Sequence, residues 1–103
     1  MGKICIFTGH RELPASTGPL YDALLRHITA LYDDGCTDFV SGGAMGFDLL
    51  AAEAVLALRP LYPDMRLVMI LPCLGQERAY SAADKERYRA LLDQADMVRY
   101  TAH

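Results

Sequence analysis

The sequence has no tryptophan, only three cysteines with no CxxC pair among them, and no run of lysine or arginine. Charged residues make up 22% of its 103 residues, acids and bases are interspersed, and the net charge is −3. Without a basic stripe the chain is not suited to neutralising a row of phosphates, so nucleic acid is not expected as a partner. A small phosphorylated ligand stays compatible with this balance, because backbone N–H groups can hold phosphate without net positive charge.

Long apolar runs are missing as well. No stretch approaches the roughly 18 residues that a membrane-spanning helix needs, and the apolar run within Met1–Phe7 is too short for the core of a signal peptide. The odd, widely spaced cysteines, Cys5, Cys36 and Cys73, are typical of reduced structural thiols in the cytosol. We therefore expect a cytoplasmic protein with no membrane partner. Its length and its 52% apolar content predict one globular domain over residues 1–103.

Short apolar runs alternate with helical patterns along the chain. Runs of β-forming residues predict four strands, at Lys3–Thr8, Thr37–Ser41, Arg66–Leu71 and Met97–Tyr100. Apolar residues at helical spacing predict three helices, from Pro19 to Tyr32, from about Gly46 to Leu58, and after a capping residue at Ser81. The order β-α-β-α-β-α-β predicts an α/β fold, a Rossmann-like three-layer sandwich whose parallel sheet of about four strands has helices on both faces.

The segment after the first strand, Thr8-Gly9-His10-Arg11, offers ligand-binding groups at the carboxyl end of the sheet. In open parallel sheets ligands lie beyond the carboxyl ends of the strands, where the strand order reverses. Gly9 lets the backbone approach a ligand closely. Arg11 can make a bidentate contact with phosphate or carboxylate, and His10 can make one hydrogen bond. The alternative for these residues is a solvated turn with an exposed arginine.

The segment after the second strand, Ser41 to Asp48 (SGGAMGFD), carries the strongest local signal. Three glycines lie within five residues between a strand and a helix. A phosphate on a helix N-terminus requires such residues, because they leave the backbone N–H groups free of side chains. The pattern is neither the Walker motif nor GxGxxG, and a glycine turn without a ligand is the alternative. Asp48 can contact a ribose hydroxyl or complement the positive helix end. We expect Gly43→Asp to abolish phosphate binding and to leave the fold largely intact.

The third loop, Leu71 to Glu77 (LPCLGQE), can close over one side of a ligand. Gln76 can hydrogen-bond a base or a phosphate, or it can lie on the surface. Cys73 has no histidine that can be assigned as its base, so it is not predicted to be a nucleophile. The three histidines show no metal-ligand spacing, and no metal site is predicted. We interpret Glu53, in the second helix, as an ordinary helix residue rather than a catalytic acid.

The three loops together carry a family resemblance, in the segments TGHR, SGGAMGFDLLAAE and LPCLGQE and in a last helix that ends in QAD. The chain resembles, over nearly all its length, the YpsA-like branch of the SLOG superfamily, the Rossmann-like group that includes the LOG and DprA proteins. The resemblance implies a nucleotide-derived ligand at the strand ends, held by Thr8, Gly9, His10, Arg11, Ser41, Gly42, Gly43, Gly46 and Asp48. From the loops themselves we add Ala44, Pro72 and Gln76.

The chain also departs from its relatives. LOG enzymes carry a second motif, PGGxGTxxE, whose glutamate takes part in phosphoribohydrolase chemistry, and that motif does not occur in this sequence. Longer YpsA-like proteins continue past the fourth strand, so we expect a chain shortened at its C-terminus, as a natural short form or a fragment. A shortened sheet exposes an edge and apolar surface, and we therefore expect a homo-oligomer.

Three functions follow from these observations. The first is a module that binds or senses a nucleotide or an ADP-ribose-like ligand, with no catalytic residue assigned and a bound nucleotide or phosphate as the only cofactor considered. The second is a nucleotide N-glycoside hydrolase of the LOG kind, which would need Glu53 or Asp48 as its catalytic carboxylate. The third is a non-catalytic interaction protein with a vestigial pocket. Binding without turnover is favoured, because no acid/base pair can be identified in the loops.

Overall fold

The computed structural model describes residues 3–7, 17–43, 46–72 and 75–101. Its strands and helices follow the order that the sequence predicts, with one short 3₁₀ turn before the last helix. The elements are β1 (Lys3–Ile6), α1 (Gly18–Asp33), β2 (Cys36–Ser41), α2 (Phe47–Leu58), β3 (Arg66–Leu71), the 3₁₀ turn (Gln76–Ala79), α3 (Ala82–Gln94) and β4 (Met97–Tyr100). The predicted α/β fold with a parallel sheet of four strands is confirmed.

The helices begin and end at residues that are typical of helix termini. Pro19 lies in the first turn of α1, where its missing N–H costs no hydrogen bond. Gly35 follows α1 with a φ of 107°, a backbone conformation that few side chains tolerate, and so turns the chain into β2. The Ser81 hydroxyl accepts a 3.2 Å hydrogen bond from the backbone N–H of Asp84 at the start of α3. The predicted cap of the last helix is therefore present.

The strands lie in the order β1-β2-β3-β4, and all three neighbouring pairs are parallel. When parallel strands follow one another without a reversal, right-handed crossovers place every connecting helix on the same face. Helix α2 lies in the middle of the helix layer and contacts both α1 and α3. Among the described residues the sheet thus has one helix layer, and the second layer expected from the sequence is not among them. The described strands also contain no reversal of order.

The core fills the space between this helix layer and the sheet. Phe39 of β2 and the alternate residues Leu67, Met69 and Leu71 of β3 are completely or almost completely buried. They pack against fully or nearly fully buried side chains of the three helices, namely Ile28, Leu49, Val55, Tyr88 and Leu91. The side chains of β2 and β3 that face the helices are therefore buried, and this packing anchors both strands beneath the helix layer.

A disulfide between Cys5 and Cys36 joins β1 to the start of β2. Their Cα atoms are 6.4 Å apart, within the range that a disulfide spans. The prediction of reduced thiols is therefore wrong for this pair. A separation of 31 residues hides the contact in the sequence, because only the pairing of the two strands brings the cysteines together. Cys73 lies outside the described residues.

Within the same described segments, none of the helices combines the length and the apolar character that crossing a bilayer demands.

Candidate functional site

The carboxyl ends of β1, β2 and β3 lie side by side at one edge of the sheet. The N–H of Phe7, which follows β1, donates a 2.9 Å hydrogen bond to the carbonyl of Val40 in β2. Ser41 at the end of β2 is paired in register with Met69 near the end of β3. The chain therefore leaves β1 beside the start of the glycine-rich segment, which the sequence predicts to be a ligand-binding edge.

Ser41 is hydrogen-bonded to residues on both sides of the turn that follows β2. Its side chain is fully buried, and its hydroxyl accepts a 3.2 Å hydrogen bond from the N–H of Gly43. The same hydroxyl donates to the carbonyl of Asp48 at 3.0 Å, in the first turn of α2. One strand residue thereby connects both ends of the turn, so the start of α2 is held against the end of β2.

A side chain at Gly43 would be crowded, and the backbone conformation there is strained for any residue other than glycine. Its φ is 72°, and a Cβ atom there would come within 2.8 Å of Leu71 Cδ2 and 2.9 Å of both Gln76 Nε2 and Tyr88 Cε1. Distances below 3.0 Å require the neighbours to move, and Leu71 and Tyr88 are buried core residues. The expectation that Gly43→Asp leaves the fold intact is therefore wrong, because the glycine is needed for packing as well as for access to a ligand.

Asp48 and Gly46 shape the beginning of α2. Gly46 precedes the helix with a φ of 81° and, as the N-cap residue, has no side chain that could cap it. Asp48 lies in the first turn and is 9% exposed. Its Oδ2 atom would be 3.1 Å from a Cβ atom on Gly42, so the carboxylate lies against the glycine segment. The start of α2 thus offers N–H groups, which donate hydrogen bonds to anions, next to a carboxylate, which accepts hydrogen bonds from hydroxyl groups.

The 3₁₀ turn and α3 hold the carbonyls of the glycine segment. Gln76 Nε2 donates to the carbonyl of Gly42 at 2.9 Å and to the Tyr88 hydroxyl at 3.3 Å. The hydroxyl of Tyr80 donates to the carbonyl of Gly43 at 2.8 Å. The amide nitrogen of Gln76, predicted as a ligand contact, is therefore engaged in positioning the segment. No local pattern in the sequence signals the bond from Tyr80.

Tyr88 combines packing with this hydrogen-bond network. It is 1% exposed, and its ring meets that of Tyr80 edge to face, with centroids 5.7 Å apart. Burial raises the pKa of the Tyr88 hydroxyl above its ordinary value, while the hydrogen bond from Gln76 lowers it and the charge of Glu77 raises it again. The hydroxyl therefore stays protonated at neutral pH and serves as a neutral hydrogen-bonding group.

Glu77 adds a carboxylate beside this network. Its Oε1 atom is buried and has no hydrogen-bond partner in the described segments. A buried carboxylate oxygen without a donor is costly, and native proteins usually supply one. No pattern in the sequence singles out this residue.

Several predicted site residues cannot be placed. Thr8, Gly9, His10, Arg11 and Ala44 lie outside the described residues. Pro72 is described, and it lies exposed immediately after β3. The other predicted site residues with described positions are Ser41, Gly42, Gly43, Gly46, Asp48 and Gln76, and they lie around the end of β2 and the start of α2. No group of three metal-ligating side chains occurs among the residues with described positions.

Glu53, one of the two carboxylates that the hydrolase alternative could use, forms an ion pair away from the strand ends. Arg87 of α3 donates from Nε to Glu53 Oε2 at 3.0 Å and also pairs its Nη2 with Oε1. The same guanidinium holds Asp84 at 3.0 Å. The hydrogen bond and charge of Glu53 raise the pKa of Arg87 against the opposing effect of burial. This network lines a groove of about 760 Å³ between α2 and α3, on the helix layer and not at the strand ends.

Comparison with known proteins gives matches to uncharacterised bacterial proteins. The family model described as the YspA SLOG family (YpsA) matches residues 4–103. UPF0398 proteins of Bacillus thuringiensis strain Al Hakam and Bacillus cereus strain AH187 are each 38% identical to the chain over 76 residues. A UPF0398 protein of Bacillus cereus strain AH820 is 37% identical over 76 residues. Each match covers 74% of this chain and 41% of the relative, so the chain spans less than half the length of the curated relatives it matches.

Proposed function

The chain belongs to the YspA SLOG family, and from that premise we propose that it binds a nucleotide or nucleotide derivative, such as ADP-ribose, without turning it over. The ligand would lie beyond the carboxyl ends of β1, β2 and β3. The observation that carries the proposal is the set of hydrogen bonds around Gly42 and Gly43. Three described side chains, Ser41, Gln76 and Tyr80, hydrogen-bond to the backbone of these glycines, and Ser41 also bonds to Asp48 in the first turn of α2.

Preorganisation is what a weakly charged site needs. Fixing flexible glycines costs conformational entropy. Gly42 and Gly43 are already held by hydrogen bonds, so binding does not have to supply that cost for them. The N–H groups at the beginning of α2 can then donate hydrogen bonds to a phosphate, as helix N-termini do in nucleotide-binding proteins. The chain has no run of basic residues, so this backbone contribution replaces part of the positive charge. Arg11 would supply a bidentate contact in addition.

The two carboxylates decide the orientation of the ligand. Asp48 lies against Gly42 at the helix start, where it would repel a phosphate that came too close and would accept a hydrogen bond from a ribose hydroxyl. Glu77 Oε1, which has no hydrogen-bond partner in the described segments, is a second acceptor on the side of the 3₁₀ turn, suited to an N–H or O–H donor. We propose a phosphate over the backbone and hydroxyl or amine groups toward these carboxylates.

The hydrolase alternative has less support. Cleavage of an N-glycosidic bond would need a carboxylate placed at the sugar. Of the two candidates, Glu53 is held by Arg87 at the α2–α3 contact, which leaves only Asp48 for that role. The interaction-protein alternative predicts no ligand at all. Measuring release of free base from AMP, and binding of intact AMP, separates all three functions. We also propose the cytoplasm as the compartment. Its reducing environment would favour the thiol forms of Cys5 and Cys36 over their disulfide.

A thermal-shift screen against AMP, ATP, NAD, ADP-ribose and cyclic nucleotides tests the proposal. A ligand that binds only the folded chain raises its melting temperature. Arg11→Gln should remove most of that rise. Arg26→Gln, which changes an exposed arginine of α1, is the matched control and should keep it. A rise that survives Arg11→Gln unchanged would place the ligand elsewhere, and no rise with any compound would favour the interaction protein.

A further inference from the structure

The face of the sheet opposite the helices is apolar. Side chains alternate along a strand, so the residues between the core positions point to this second face. Ile6, Val40, Val68 and Met97 are register partners in β1, β2, β3 and β4 and form one apolar row across the sheet. Ile4 and Ile70 extend the row at either side. We call this surface the open face.

Exposure confirms that the described residues leave part of the open face bare. Ile4 is 66% exposed, Ile6 69% and Ile70 37%, and these are three of the five large apolar side chains that stand exposed in the described segments. Val40 and Val68 are buried but do not belong to the core cluster formed with the helices. Soluble proteins seldom leave a contiguous apolar patch uncovered, so such a face marks an interaction surface.

Charges on the open face indicate which partner it fits. Asp38 of β2 and Arg66 of β3 are register partners on one side of the apolar row and form an ion pair at 3.8 Å. On the other side, Ile70 is paired in register with the exposed Arg99. The face therefore carries an opposite-charge pair placed symmetrically about the line between the two central strands.

A twofold axis along that line makes the face complementary to itself. The rotation lays β2 over the partner's β3, so Asp38 meets the partner's Arg66 and Val40 meets the partner's Val68. Strands in both sheets then run in similar directions, as in aligned sheet packing. An axis perpendicular to the strands would instead lay Arg66 over the partner's Ile70 and bury a charge against an apolar side chain, which is unfavourable.

We propose that the open face is the interface of a homodimer, with the apolar row at its centre and the Asp38 and Arg66 pairs of the two copies facing each other. The inference uses no residue of the ligand site and does not depend on ligand binding. The strands are short, with four residues in β1 and six in β2 and β3. The interface is accordingly small, and we expect a dissociation constant on the order of micromolar.

Sedimentation analysis of the whole chain, from about 1 to about 500 µM, tests the dimer. Ile6→Glu should weaken association at least about tenfold, because it buries a charge in the apolar row. Leu61→Glu is the matched control: Leu61 is 72% exposed but lies outside the sheet, so this variant should dimerise like the wild type. Melting curves of both variants should show folded protein. A wild type that stays monomeric throughout, or an Ile6→Glu variant that dimerises as tightly, would overturn the proposal.

Exchange of charge tests the orientation independently. Asp38→Arg and Arg66→Asp each remove the ion pair within the chain. The first variant has two positive charges at these positions, and the second has two negative charges. Both variants should be monomeric alone. An equimolar mixture should recover the dimer, because the two positive charges of the first variant then face the two negative charges of the second across the interface. Homodimers of either single variant as tight as the wild type, or a mixture that stays monomeric, would contradict the proposed arrangement.

Discussion

The hydroxyl of Tyr80 donates a 2.8 Å hydrogen bond to the carbonyl of Gly43, 37 residues earlier in the chain. This bond ties the segment after β3 to the glycine segment after β2, next to the parallel contact from Gln76 to Gly42. Two of the three loops expected at the ligand are therefore coupled in the absence of any ligand. A substitution in one loop should therefore change the stability of the other.

Tyr80→Phe tests that coupling. The variant keeps the ring contact with Tyr88 and removes only the hydroxyl, so we expect a loss of about 1 kcal/mol in the free energy of unfolding. It should also weaken nucleotide binding, because the glycine segment loses one restraint. Urea unfolding and ligand titration measure the two effects. Tyr21→Phe, in α1, serves as the control. Unfolding and ligand affinity equal to wild type in Tyr80→Phe would show that the bond does not hold the segment.

Gly43→Ala should be strongly destabilising. The added methyl group would meet Leu71, Gln76 and Tyr88 below 3.0 Å on a backbone with φ at 72°, and we expect a loss of roughly 2–4 kcal/mol. Gly18→Ala is the matched control, since a Cβ atom there meets nothing within 4 Å at the start of α1. It should be neutral or stabilise by up to about 1 kcal/mol. Equal stabilities of the two variants in urea unfolding would refute the packing role of Gly43.

The stability of the protein should fall at alkaline pH in part through Tyr88. Burial, the largest cause, raises the pKa of its hydroxyl in the folded state. The folded chain thus keeps a proton that the unfolded chain releases near pH 10. The contribution is complete below that pH and is lost as pH rises toward the folded pKa. Melting temperatures of the wild type and of Tyr88→Phe between about pH 8 and 11 measure this, with a shallower decline expected for the variant. A decline of equal steepness would exclude Tyr88 as its source.

Glu53→Gln separates the structural role of this carboxylate from a catalytic one. The ion pair with Arg87 is about one-third exposed on both sides, so its loss should cost at most about 1 kcal/mol. Ligand affinity should stay at the wild-type value, because Glu53 contacts α3 and not the strand ends. Glu86→Gln, an exposed change on α3, is the control. If the wild type releases base from AMP and Glu53→Gln does not, the hydrolase alternative is correct.

Local signals in the sequence predict the order of strands and helices, but they do not predict which face of the sheet the helices cover. The run from Arg66 to Leu71 predicts a buried strand, yet Leu71 lies in the core while its neighbour Ile70 is 37% exposed. Because both residues are apolar, periodicity cannot indicate which side the helices cover. The uninterrupted strand order, which places α1, α2 and α3 together on one side, becomes visible only in the folded sheet.

Contacts between distant segments were equally hidden. The glycines after β2 and the cap at Ser81 are local patterns and were recognised from the sequence. The disulfide of Cys5 and Cys36 and the hydrogen bond of Tyr80 join positions 31 and 37 residues apart. Such pairs depend on the register of neighbouring strands and on how the 3₁₀ turn docks, and no spacing rule in a single sequence encodes them.

The measurement that tests the central claim most directly is a calorimetric titration of AMP and ADP-ribose into the wild type and Asp48→Asn. The substitution keeps the size of the side chain and removes its charge, so affinity should fall about tenfold if a ribose hydroxyl donates to this carboxylate. Asp22→Asn, exposed on α1, should bind like the wild type. Binding to the wild type that weakens only in Asp48→Asn is the predicted result. Absence of binding to the wild type, or equal affinity in all three proteins, would contradict the account.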